Sequence, residues 1–154
     1  MTPLEVRVRA DGRAPALVRA ALDRWLAARN WPDEDGEDLV FAVSEAVSNA
    51  AEHAYHPDHA DESAQQPEPL VAVVVTELVD ADVRRAKAVV VDFGAWRSQP
   101  PGDGTRGRGL TMIGMLVASC TVNHGRAGTR VTMISRPVPR RRPRNPHPFG
   151  PEHG

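Results

Sequence analysis

Glu45 and Asn49 stand four residues apart in the run Ser44-Glu45-Ala46-Val47-Ser48-Asn49-Ala50-Ala51-Glu52-His53. On a helix this spacing sets a carboxylate and an amide on one side, one turn apart. Asn is a poor interior helix residue, yet here it sits mid-run, followed by Ala50 and Ala51, which leave room for a bulky neighbour. Downstream, Val90-Val91-Asp92-Phe93-Gly94 is an apolar run that ends on a carboxylate. A carboxylate there is partly buried and needs a donor, and Gly94 lets the backbone pass close to a ligand. Gly107-Arg108-Gly109 precedes Leu110 and the next helical pattern. A Gly-rich loop at a helix amino terminus turns free N–H groups toward phosphate, and Arg106 and Arg108 add charge that pairs with phosphate oxygens. Gly102, Gly104, Gly107 and Gly109 together make a hinged segment of the kind that closes over a ligand. Gly128-Thr129 then opens the last strand-like run.

Two other phosphate chemistries are excluded. A P-loop needs Gly-Lys-Ser/Thr, and the only lysine, Lys87, is not in one. A dinucleotide fingerprint needs a small third residue where Met112 stands. His53 follows Asn49 by one turn, but no Cys or second His lies at ligand spacing, which leaves it a structural or phosphate-facing role. His56, His59, His124, His147 and His153 form no pattern. The single cysteine, Cys120, follows a helix-like apolar stretch and reads as a packed core thiol.

The elements that must position these residues follow from periodicity. Leu4, Val6 and Val8 alternate with charged residues, a half-buried strand. Asp11-Gly12 turns the chain, and Pro15 suits a first helical turn. Leu17, Val18, Ala21, Leu22, Trp25 and Leu26 mark an amphipathic helix. Asn30-Trp31-Pro32 breaks it. Asp33, Glu34, Asp35, Glu37 and Asp38 then load the start of a second helix with acid, favourable at its positive end. Its apolar stripe is Leu39, Val43, Ala46, Val47, Ala50 and Ala54, and Glu45 and Asn49 fall off it. Residues 56–69 read as a loop. The β-branched runs 70–79 and 87–93, joined by a charged connection at 80–86, read as an antiparallel pair. Leu110, Ile113, Leu116 and Val117 mark a third helix, and 121–124 with 129–135 a final hairpin. The expected fold is an α/β two-layer sandwich, a mixed and largely antiparallel sheet with helices on one face.

At 154 residues with a net charge of -1, the chain fits one domain without a whole-protein nucleic-acid footprint. No apolar leader or bilayer-length run is visible, and a lone cysteine suits a reducing cytoplasm. Residues 137–154 hold six prolines and the basic run Arg140-Arg141-Arg142. They read as a disordered tail behind a domain at 1–136.

The four boxes, in this order, resemble the nucleotide site of the GHKL ATPase superfamily (the Bergerat-type fold) and, within it, the anti-sigma-factor serine/threonine kinases. The resemblance runs from about residue 4 to 135. It implies ATP and magnesium as cofactors. Asn49 would supply its amide oxygen to the metal, a suitable hard ligand. Glu45 would orient or deprotonate the attacking hydroxyl. Asp92 would read the adenine amino group beside Gly94. Arg106, Gly107, Arg108, Gly109 and Leu110 would belong to the lid and phosphate side, and the Thr129 hydroxyl would support an adenine-side water network. Trp96 stands where the family's fuller motif has a second Gly and would pack over the base or under the lid. The implied reaction is phosphoryl transfer to a serine on a small antagonist protein, with a sigma factor as second partner, no direct nucleic-acid or membrane contact, and a homodimer left open. The rival is a catalytically silent module that docks proteins according to bound nucleotide.

Overall fold

The computed structural model describes residues 2–54, 69–93, 105–125 and 128–140, with backbone alone for 53, 54 and 105–109. The elements run β1 (Leu4–Arg9), α1 (Ala14–Ala28), α2 (Asp33–Ala54), β2 (Leu70–Asp80), β3 (Val83–Asp92), α3 (Thr105–Leu116), β4 (Ser119–Gly125), β5 (Gly128–Ile134) and β6 (Val138–Pro139). All ladders are antiparallel, in the order β1-β2-β3-β5-β4, with β6 on β3. One face of the sheet carries the helices. Its buried valines pack with Val18, Leu22, Leu39, Val43 and Val47 into a single core. The expected two-layer architecture is the one observed.

The register arranges that face in transverse rows. Leu4, Val75, Ala88, Met133 and Cys120 form one row across β1, β2, β3, β5 and β4. Val6, Val73, Val90, Val131 and Val122 form the next. The third begins apolar, with Val8 and Val71, and turns polar at Asp92, Thr129 and His124. The polar corner therefore lies at one end of β3, beside an all-valine row.

α1 ends in a left-handed turn. Asn30, at φ 49°, is the residue after the cap. The Trp31 N–H reaches the Leu26 carbonyl (3.1 Å) and the Asn30 N–H the Ala27 carbonyl (3.0 Å), the Schellman pattern. Arg84 of β3 then donates to the carbonyls of Arg29 (2.7 Å) and Asn30 (2.9 Å) and lies over the Trp31 ring. It pairs with Glu77 across the β2–β3 hairpin at 3.3 Å. This network explains one departure from expectation. The charged segment 80–86 is strand except for a two-residue turn at Ala81 and Asp82, and one of its charges, Arg84, is buried against the end of α1 while Asp80 and Asp82 stay exposed.

The domain also extends past residue 136. Ser135 Oγ accepts from the Ala86 N–H at 2.9 Å, and the chain then rejoins β3 as β6, with Val138 only 1% exposed. One apolar residue between prolines gives no periodicity, so the sequence pattern assigns it to the tail. Residues beyond 140 lie outside the described ones. In α1, Leu17 faces solvent and Ala14 takes the core position. α3 starts at Thr105, not at Leu110. Its opening residues, Thr105-Arg106-Gly107-Arg108-Gly109, include no large apolar residue, so the hydrophobic pattern shows the helix late.

Candidate nucleotide site

α2 is a 22-residue helix that opens on Asp33, Glu34 and Asp35. Three acids at the positive end of its dipole favour the helix there. Leu39, Val43 and Val47 are buried, and Ala46 and Ala50 line one flank of the stripe that packs on the sheet. Because both flank residues are alanines, α2 leaves space between itself and the polar corner. The resulting cleft, with about 510 Å³ of free space including its open mouth, is lined by Ala46, Asn49 and Ala50 from α2, Leu110 from α3, and Val90, Asp92, Val122, His124, Thr129 and Val131 from the sheet. Its walls are apolar except at Asn49 and the Asp92-Thr129-His124 row, the pattern of a small-molecule site with a few orienting polar groups.

Asp92 is 4% exposed and Thr129 5%. They are register partners on β3 and β5. Gly128 makes that pairing tight. It has φ +131°, and a side-chain Cβ there would fall 1.9 Å from the Asp92 carbonyl oxygen. Only glycine fits, which accounts for the Gly-Thr order read in the sequence. His124 Nδ1 lies 3.3 Å from Thr129 Oγ1. Chemically, the cleft presents a buried acceptor and a hydroxyl to a flat ligand held between valines and alanines, with an amide at the rim.

Of the residues singled out from sequence, Asn49, Asp92, Leu110 and Thr129 meet in this cleft. Glu45 lies one turn before Asn49 on α2, half-buried and outside the cleft's lining. Arg106, Gly107, Arg108 and Gly109 form the opening turns of α3 instead of a loop before it. They precede Leu110, so their backbone lies toward the cleft end of that helix. Their side chains, and that of His53, are not described. Gly94 and Trp96 lie outside the described residues, as do Gly102 and Gly104. His124 was missed, along with Val122 and Val131. The signal was the hairpin register, which sets His124 opposite Thr129 across the pair Gly125 and Gly128.

Among the described residues, no group of three or more His, Cys, Asp or Glu side chains is placed to hold a metal. The donor set suits a cation that arrives with its own phosphate ligands and takes one amide oxygen from Asn49. Cys120, on the core face of β4, is partly buried, and burial pushes its thiol up from the ordinary value.

The model of the histidine kinase-like ATPase domain matches residues 8–135. The crystal structure of the RsbU and RsbW domains of Rv1364c from Mycobacterium tuberculosis is similar at a TM-score of 0.66 and 30% identity, over 92% of this chain and 34% of that one. This chain thus spans about a third of that relative's length. A match over most of the domain, on a fold whose cleft gathers the expected Asn, Asp and Thr, is decisive: the chain belongs to the histidine kinase-like ATPase domain family, an ATP-binding domain of GHKL type.

Proposed function

We propose that the chain is an anti-sigma regulatory factor that binds Mg-ATP in this cleft and phosphorylates a serine or threonine on a small antagonist protein. The observation that carries the reading is Asp92, a 4%-exposed carboxylate in the lining of a largely apolar cleft that also holds Asn49 and Thr129. A carboxylate at the cleft wall has several lone pairs and can accept from a ligand donor as well, and an adenine amino group is a flat one. In this reading Asp92 and Thr129 read the base, Asn49 holds the metal, and the amino end of α3 faces the phosphates. Glu45, a turn from Asn49 and outside the base cleft, orients the attacking hydroxyl. When bound, ATP supplies the phosphoryl group and its magnesium neutralises charge, so the protein's part is largely positioning. The neighbour carrying an RsbW domain supports the regulatory context. No helix among the described residues is long and apolar enough to cross a membrane, consistent with work in the cytoplasm on a sigma factor and its antagonist.

The test is paired: nucleotide affinity by calorimetry with and without magnesium, and single-turnover phosphorylation of a cognate antagonist. Glu45→Gln should slow transfer by about 10²-fold or more with affinity unchanged within a few-fold. Asn49→Ala should remove the magnesium dependence of ATP binding. A protein that phosphorylates nothing while its ATP form still docks a partner is the silent module instead, a reading that the position of Glu45 outside the cleft lining also allows.

A further inference from the structure

His124 is not part of any motif that marks the family, yet it completes the polar corner. Asp92 pairs with Thr129 across β3 and β5, and Thr129 pairs with His124 across β5 and β4. Register partners in an antiparallel ladder point to the same face. All three side chains line the cleft, and the imidazole Nδ1 sits 3.3 Å from the Thr129 hydroxyl oxygen. Apart from His124, Asp92 is the only titratable residue in the described lining. His124 itself is exposed, at the mouth, on the edge strand.

A threonine hydroxyl has one proton and two lone pairs, and its neighbour decides how they are shared. If Nδ1 carries hydrogen, it donates to Thr129 Oγ1, and the hydroxyl proton is left for the cleft. If Nδ1 is bare, it accepts that proton, and only lone pairs face the cleft. We propose that His124 is a positioning residue for base selection: its Nδ1–H turns the Thr129 hydroxyl into a donor directed at the bound base. The inference rests on the ATP-binding reading above. The row then offers an acceptor, Asp92, beside a donor, Thr129. The edge of adenine offers the complement, an amino donor beside a ring-nitrogen acceptor. Guanine has a carbonyl acceptor beside an N–H donor and meets the row with both groups reversed. Such a mismatch leaves buried polar groups unpaired, which is how sites reject near-isosteres strongly.

Two measurements test this. Nitrogen NMR of the histidine rings in the full-length protein, without ligand, reads whether Nδ1 of His124 carries the hydrogen. Calorimetry with ATP and GTP gives the affinity ratio in wild type, His124→Phe, His124→Asn and Thr129→Val. His124→Phe should reduce the ATP-over-GTP ratio by about three- to tenfold, the span of one neutral hydrogen bond. His124→Asn, whose amide can still donate to Thr129, should restore most of it. His124→Phe added to Thr129→Val should change the ratio no further, as expected for residues acting in series. A bare Nδ1 in the free protein, an unchanged ratio in His124→Phe, or additive losses in the double variant would each overturn the proposal. Wild type that binds ATP with an unchanged ratio in His124→Phe sinks this inference alone. Wild type that binds neither nucleotide sinks the ATP-site reading and this one with it.

Discussion

Asp92 is the side chain on which the proposed site most depends. Its carboxylate is buried, and Asn in its place would present a donor toward the amino group it is proposed to accept from. Asp92→Asn should weaken ATP binding at least about tenfold, measured by calorimetry, while the fold survives because the exchange is isosteric. Unchanged affinity would remove Asp92 from the site. Gly128 makes the opposite demand. A methyl group there meets the Asp92 carbonyl at 1.9 Å, so Gly128→Ala must push β5 off β3 and adopt a strained φ, at a cost of about 1–3 kcal/mol. The expected readout is a melting temperature lower by several degrees together with weakened ATP binding. Asp92 was legible because a carboxylate ending an apolar run is a local anomaly. His124 was not, because nothing within a few residues of it is unusual. Its place in the cleft, and the role proposed for it, come from a cross-strand partner and from the strand beyond that partner.

Elements were legible where burial is periodic. The stripes of α1 and α2, the alternation in β1 and the β-branched runs of β2 and β3 are local, so nearby residues carry them. They were not legible where a distant contact decides. The 80–86 segment looks like a charged connection until the end of α1 supplies two carbonyls and the Trp31 indole face for Arg84. Arg29 lies 3.9 Å over the Trp25 ring and Arg84 4.6 Å over Trp31, with Glu77 between the two guanidinium groups. Arg84→Ala should therefore cost about 3–5 kcal/mol, because it strips Glu77 of its closer partner and leaves two helix-end carbonyls without a donor. A lower urea midpoint is the measurement. ATP affinity of the folded protein should not change, since Asp92 lies eight residues along β3, roughly 26 Å away. Arg136 acts similarly at the end of α3, where it donates to the Met115 carbonyl and faces Asp38 of α2.

At the scale of the whole molecule, truncation separates tail from domain. Deleting residues 141–154 should leave melting temperature and ATP binding unchanged, since the described sheet is complete without them. Deleting 137–154 removes Val138, which is 1% exposed, and should lower stability by about 1.5–3 kcal/mol. Equal melting temperatures for the two truncations would show that β6 contributes nothing. The assembled sheet also has a seam. Asp92 belongs to the β2–β3 hairpin, and Thr129 and His124 belong to the β4–β5 hairpin. The two join along the ladder of residues 87–92 against 129–134, which the Ser135–Ala86 hydrogen bonds extend by one step. A base gripped by both sides is a rivet through that joint, and the joint cannot open until the rivet leaves. Ligand at a hundred times its dissociation constant should slow the exchange of seam amides that open this way by about a hundredfold. Amides at the β2–β3 turn, which fray without parting the hairpins, should exchange as before. Nucleotide occupancy would thereby be written into the mechanical continuity of the sheet, and any partner that senses whether the two hairpins move together senses whether the cleft is filled.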